Sequence, residues 1–288
     1  MSFAVLGPGG VGGLLAALLS RGGDRVVVLH DSGPREIHVE SERFGDFTAE
    51  VDTAPRLAAP VDAVLVTVKA THLDDGLDRM PAAALGDALV IPFLNGIEHV
   101  EHLRRMYSAS SVVPATIRIE TTKVAPGVIH HTSPFAMVDI GPRGERVAAH
   151  LRVTGLDVRI KEDEMAMLWD KMAVLAPIAL ITTHERANIG EVRARRREDM
   201  EALVREFASV AAAEGVAIDP LLNLAFIEKA PGTMETSMQR DQAAGRQTEI
   251  DALGGALLRR AAKAGIQVPV TERIVEDLAK RSPTINSA

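Results

Sequence analysis

No cysteine occurs in the 288 residues, so disulfides, thiol nucleophiles and thiolate metal sites are excluded together. A reducing compartment fits such a chain. Basic charge is also in short supply: 32 Lys and Arg stand against 39 Asp and Glu, a net charge of −7. That balance argues against broad electrostatic attraction to nucleic acid or to an anionic membrane. The one basic run, Arg193, Arg195, Arg196 and Arg197, is answered by Glu198 and Asp199 and reads as a solvated helix face. No uninterrupted apolar segment has the length that a bilayer demands, and the apolar N-terminus lacks the basic start of a signal peptide and is broken by Gly and Pro. Internal repeats and low-complexity tracts are missing too. The expectation is a soluble, cytoplasmic protein with no nucleic-acid or membrane partner; the sequence sets no oligomeric state, and a homodimer stays open to it.

What the chain does have is bulk. Its length and its 47% apolar residues suffice for a large core divided between two domains. The first thirty residues organise the rest: the apolar run Phe3, Ala4, Val5, Leu6 feeds into Gly7, Pro8, Gly9, Gly10, Val11, Gly12 and then into Leu14–Leu19. This reads as strand, glycine turn and helix. A second strand, Val26–Leu29, ends near Asp31. In that context a GxGxxG pattern is a nucleotide site. Gly7 permits a sharp turn, Gly9 removes a side chain where backbone must approach a pyrophosphate, and Gly12 lets helix and strand pack closely. The helix start offers free N–H groups and partial positive charge to phosphates.

The segment from Asp31 to Pro60 is polar and irregular, with a short strand around Phe47–Val51. Beyond it, Ala63–Val68 and Ala88–Leu94 are nearly continuous apolar runs of strand length, as parallel strands covered on both faces require. A helical stretch from Glu98 to Arg105 follows, then strand-like pieces at Val112–Ile119, Val128–His131, Met137–Ile140 and Val158–Ile160. The fold class expected is α/β, a Rossmann-type doubly wound parallel sheet over residues 1–162 followed by an all-helical domain over 163–288. The helices expected there are Glu164–Thr182, Val192–Ala213, Leu221–Glu228, Thr248–Ala264 and Thr271–Lys280, with Pro177 kinking or interrupting the first of them.

Ligands of open parallel sheets bind beyond the carboxyl ends of the strands, where Lys69 and Asn95 stand. Lys69 can reach a cofactor phosphate or a substrate carboxylate; the Asn95 amide can donate and accept hydrogen bonds to a ribose, a nicotinamide or a substrate hydroxyl. Lys171 opens twelve uncharged residues, Met172–Thr183, and on a helix it shares a face with Leu168, Leu175 and Ile178. A lysine on an apolar stripe either snorkels to the edge or, when buried, has its proton affinity lowered toward the range of a general acid. Thr248 with Asp251 reads as a helix N-cap pair that puts Glu249 in the first turn, where the helix dipole favours a charged carboxylate able to accept a hydrogen bond. His99 and His102 have a spacing compatible with a metal, but no third ligand is evident and no metal is expected. Met165, Met167 and Met172 read as helix packing.

With these residues in view the chain resembles the ketopantoate reductase (2-dehydropantoate 2-reductase) family, within the larger set of 6-phosphogluconate-dehydrogenase-like enzymes, over nearly its whole length. Ser237-Met238, Ala244-Gly245-Arg246, Thr248 to Leu253 and Gly265 to Pro269 fall in family order; Pro126 to Ile129 and Asn188 to Glu191 are similar to further landmarks. The resemblance implies hydride transfer from NADPH or NADH to the carbonyl carbon of a small 2-oxo acid. It matches Lys171 to the lysine that protonates the forming alkoxide, Asn95, Ser237 and Glu249 to substrate positions, Gly7 to Gly12 to the dinucleotide loop, and Lys69 to a cofactor or site lysine. The chain departs from the pattern twice. Leu175 and Ala179 stand where the family usually has substrate-contacting asparagines, which puts ketopantoate itself in question. His30 and Asp31 stand where NADPH-using members typically carry an arginine; an aspartate there favours NADH, with Arg35 near in sequence as a cation. A related hydroxy-acid dehydrogenase or imine reductase on another substrate, or a nicotinamide-sensing protein without turnover, stay open as alternatives.

Overall fold

A computed structural model describes residues 1–281. The strands, in chain order, are β1 (Ser2–Leu6), β2 (Arg25–Leu29), β3 (Glu36–Ser41), β4 (Phe47–Glu50), β5 (Asp52–Ala54), β6 (Ala63–Val66), β7 (Leu89–Pro92), β8 (Ala115–Arg118), β9 (Thr121–Ala125), β10 (Val128–His131), β11 (Met137–Ile140) and β12 (Asp157–Ile160). They form a five-stranded sheet in the order β5-β2-β1-β6-β7, a four-stranded sheet β4-β3-β10-β9 and a three-stranded sheet β12-β11-β8. All four pairings of the first sheet are parallel. The chain builds outward from β1 to β2 and β5, then returns to place β6 on β1's other side, so the strand order reverses at β1. This is where a doubly wound sheet binds its ligand. β1 can hold that central place because Phe3, Ala4, Val5 and Leu6 are all buried and present an apolar surface to both faces.

Helix α1 (Gly10–Arg21) follows β1. It is buried from Gly12 to Leu19, Leu14 through Leu19 having no exposed surface, and it touches strands of both the first and second sheets. A helix apolar on every side belongs inside a core; each of its four leucines contributes roughly 1.5–3 kcal/mol by burial. The segment expected to be irregular contains β3 as well as β4 and β5. In β3 only Ile37, Val39 and Ser41 are buried, alternating with Glu36, His38 and Glu40, and this polar face hides a strand from any reading based on apolar runs. β3 is completed by parallel pairing with the distant β10.

Short helices α2 (Leu73–Leu77) and α3 (Ala82–Leu85) lie between β6 and β7, α4 spans Glu98–Met106, and α5 (Glu145–Val153) precedes β12. The helical half comprises α6 (Glu164–Glu185), α7 (Ile189–Arg195), α8 (Arg197–Ala213), α9 (Pro220–Lys229), α10 (Ser237–Ala243), α11 (Ala256–Ala264) and α12 (Pro269–Arg281). Two compact units emerge: one is Met1–Leu94 with His99–Met167, the other Asn95–Glu98 with the chain from Leu168 onward. Among the described residues the second unit contains no strand.

Three helix expectations need correction. Pro177 does not interrupt α6, which runs through it as one element. A proline cannot donate to the carbonyl four residues back, and here the Asn223 side-chain amide donates to that carbonyl, Ala173 O, at 3.3 Å. The expected helix Val192–Ala213 is two, because Arg196 at φ −134° breaks the path between α7 and α8. Thr248 does not cap a helix: Glu249 lies just before the helical residues, and Asp251–Gly255 form a π-type turn leading into α11. α6 is also long and apolar enough to cross a membrane by length and composition, contrary to expectation, although 67% of its apolar window is buried within the protein, as in a core helix.

Candidate active site

In the first unit the glycine turn forms a cradle with little slack. Gly7 has φ +96°, a conformation costly for residues with a Cβ, and a Cβ there would lie 2.7 Å from Val68 Cγ1. The Thr67 hydroxyl stands 2.9 Å from Leu6 O and 2.8 Å from Gly7 O and pins the turn to the end of β6. A Cβ on Gly12 would sit 2.2 Å from Gly7 O and 2.3 Å from Thr67 Oγ1, whereas one on Gly9 would meet nothing within 4 Å. The start of α1 has no side-chain cap and no acid in its first turn, so its partial positive charge is not compensated from within the helix. These features fit a dinucleotide: close packing beneath the turn at Gly12, open approach above it at Gly9. Gly10 is constrained as well, since its Cβ would come within 2.6 Å of Thr121 O on β9.

Beyond the carboxyl end of β2, Asp31 is exposed, and its carboxylate is held in a bidentate pair by Arg79, with Nη1 to Oδ1 at 2.8 Å and Nη2 to Oδ2 at 2.6 Å. These hydrogen bonds keep the Asp31 carboxyl below the usual carboxylate range. The cation beside Asp31 is therefore Arg79, 48 residues away, rather than the neighbouring Arg35. Lys69 follows β6, half-buried, immediately before a 3₁₀ turn at Ala70–His72. A cavity of about 160 Å³ connects this end of the sheet with the glycine turn: Pro8, Gly13, His30, Ser32 and Lys123 line it. Neither Arg79 nor Lys123 carries a local sequence signal, because each reaches its place from a remote segment.

In the second unit Lys171 lies in the first half of α6, half-buried, with Leu168 and Ile178 buried on the same face and Leu175 half-buried. Glu249 is 6% exposed, and Asn95 Nδ2 donates to its Oε2 at 3.0 Å. The Asn95–Glu98 segment is held to the π-type turn at two further points. Gly96, at φ +91°, passes so close to Ala252 that a Cβ would lie 2.5 Å from its carbonyl oxygen. Arg259 bridges Glu98 and Asp251, each at 2.7 Å. π-type turns are rare and are often found at functional positions; here the turn follows directly on Glu249 and Ile250. Ser237 is exposed at the first residue of α10, behind Thr236, whose hydroxyl accepts from Gln239 N at 3.3 Å. The structure thus brings Asn95 and Glu249 into contact and leaves the Ser237 hydroxyl facing solvent.

Two family models match the chain: ketopantoate reductase PanE/ApbA over residues 3–145, and the C-terminal part of the same family over residues 163–282. The chain belongs to the ketopantoate reductase family. Among its relatives is the 2-dehydropantoate 2-reductase of Caulobacter vibrioides, 33% identical over 95% of this chain and 97% of that protein. A solved ketopantoate reductase family structure from Ralstonia eutropha superposes with a TM-score of 0.88 at 25% identity, covering 98% of both chains. A ketopantoate reductase from Staphylococcus aureus, described as dimeric, shares the fold with a TM-score of 0.85 at 21% identity, covering 98% of this chain and 99% of the other. As a ketopantoate reductase family member the chain is an NAD(P)-dependent oxidoreductase. Among the described residues no group of three or more His, Asp or Glu is arranged to hold a metal ion.

Proposed function

We propose that this protein reduces a small 2-oxo acid to its 2-hydroxy acid, with Lys171 as general acid. The observation that carries the reading is the Asn95–Glu249 hydrogen bond, which joins residues 154 positions apart that the sequence singled out separately for substrate contact. A bound reduced nicotinamide supplies hydride to the carbonyl carbon. The chain's own residues then do the following. The Gly7–Gly12 turn and the start of α1 bind phosphate, with Lys69 and Lys123 adding positive charge. The Lys171 ammonium holds a proton for the oxygen that becomes an alkoxide. The Glu249 carboxylate accepts a hydrogen bond from a substrate hydroxyl, and Asn95, by donating to its Oε2, orients it. The Ser237 hydroxyl donates to the substrate carboxylate.

A second reading of the substrate has its own support. Leu175 and Ala179 follow Lys171 at four and eight residues and offer no polar atom to a hydroxylated tail. A site of that kind favours a 2-oxo acid with an apolar end, acted on by a hydroxy-acid dehydrogenase of the same family. A screen of 2-oxo acids, ketopantoate included, against NADH and NADPH, following loss of reduced-nicotinamide absorbance, separates the two. If none of the acids oxidises either nicotinamide, the reductase reading fails. We extend a dimeric assembly and a cytoplasmic setting to this chain as proposals; light scattering checks the first and cell fractionation the second.

A further inference from the structure

An aspartate at the end of the second Rossmann strand accepts hydrogen bonds from a ribose 2′-hydroxyl, and alone it repels a 2′-phosphate. Asp31 stands at that place, nineteen residues past Gly12, but it is not alone. Arg79 Nη1 also donates to Pro55 O at 2.9 Å, just beyond β5, and the Arg79 backbone is tied down through Leu57 N to Arg79 O at 2.7 Å. The guanidinium is thus clamped across the carboxyl ends of β2 and β5, with 30% of its side chain open to solvent. Of its five N–H groups, these contacts occupy two on Nη1 and one on Nη2. The remaining Nη2 hydrogen and Nε–H are donors to a further acceptor, while each Asp31 oxygen keeps a lone pair beyond the one Arg79 engages. His30 and Ser32, on either side of Asp31, line the cavity that reaches the glycine turn at Pro8, so the pair lies toward the dinucleotide side of the sheet.

We propose that Arg79 sets the nicotinamide selectivity of this chain: by cancelling the charge of Asp31 and offering its own spare donors, it admits the 2′-phosphate of NADPH at a position whose aspartate would otherwise restrict the chain to NADH. The inference rests on the reductase reading above and adds to it a selector residue supplied from outside the β2 loop. Asp31 serves the 2′-hydroxyl of one cofactor, Arg79 the 2′-phosphate of the other. Charge-assisted hydrogen bonds of this kind are worth enough to move affinity by about tenfold or more.

The test is direct titration of NADH and NADPH, by the fluorescence of the reduced nicotinamide, with the wild type, Arg79→Ala, Arg79→Gln and Asp31→Asn, each checked for folding by its thermal transition. Arg79→Ala is expected to weaken NADPH by about tenfold or more and NADH by far less. Arg79→Gln, which keeps donors and bulk without the charge, moves the ratio of the two dissociation constants the same way. Asp31→Asn tightens NADPH and weakens NADH. A role confined to loop stability would change both affinities alike, and an unchanged ratio in Arg79→Gln and Asp31→Asn overturns the proposal. If the wild type binds neither nicotinamide, the reductase reading falls and this inference with it; binding without a change of ratio overturns the inference alone.

Discussion

Substituting alanine at Gly9 and at Gly12 separates the two tasks of the glycine turn, because the same added methyl group meets opposite surroundings. At Gly12 the new Cβ would lie 2.2 Å from Gly7 O, a backbone atom, and would have to open the gap by about 1.2 Å to reach the 3.4 Å of ordinary contact. Overpacking of this kind costs about 1–3 kcal/mol. Displacing Thr67 from Leu6 O and Gly7 O adds about 1 kcal/mol. Against this, alanine gains about 1 kcal/mol over glycine inside a helix. The steric term wins, leaving Gly12→Ala less stable by about 1–3 kcal/mol, which corresponds to a melting point lower by roughly 2–4 °C per kcal/mol. At Gly9 nothing stands within 4 Å, so Gly9→Ala keeps the wild-type melting point while its methyl group occupies the approach to the start of α1. Loss of one backbone hydrogen bond to a charged phosphate weakens both nicotinamides by about tenfold to a hundredfold. Calorimetry and nicotinamide titration on both variants decide the matter. A melting point for Gly12→Ala at or above that of the wild type refutes the packing argument; undiminished cofactor affinity in Gly9→Ala refutes the cradle.

Further outcomes follow from other residues. Lys171→Ala should lower kcat by about 10²–10⁴-fold with little change in nicotinamide affinity; unchanged turnover removes the general acid. Lys123→Ala should weaken NADH and NADPH equally, and the loss should shrink as salt is added, since its charge would act on phosphates common to both; a selective effect would contradict that placement. The single tyrosine, Tyr107, donates to Met80 O at 3.1 Å, and burial, aided by the Asp78 carboxylate, pushes its phenol up to about 12. An unfolded tyrosine ionises near pH 10, so the stability tied to this group is whole below that pH and is lost as pH rises toward about 12. Alkaline absorbance titration reads Tyr107 alone, and a midpoint near 10 would contradict its burial. Asn223→Ala should cost about 1 kcal/mol and far less in a Pro177→Ala background, where a restored backbone N–H takes over the Ala173 carbonyl; denaturant melts of the four proteins give the coupling, and additive effects would refute it.

Local patterns determined a great deal of this protein. The strand, turn and helix from Phe3 to Leu19, the strands Val128–His131 and Met137–Ile140, and the long helix carrying Lys171 are legible because apolar periodicity and glycine placement act between residues a few positions apart. β3 and the continuity of α6 were not legible: one is completed by pairing with β10, the other by the Asn223 amide, and neither partner is near in sequence. The candidate site divides in the same way. Glycines, Lys69 and Lys171 announce themselves by position within an element, whereas Asp31 has its meaning altered by Arg79, 48 residues on, and Glu249 gains its partner Asn95 from 154 residues back. Sequence by itself was enough to point to a nicotinamide-dependent reductase of the ketopantoate reductase family and to single out candidate residues for it. Only tertiary structure decided which charges face one another, because the energy of a hydrogen-bonded ion pair depends on a separation of a few ångströms that chain reversal sets and spacing along the chain does not.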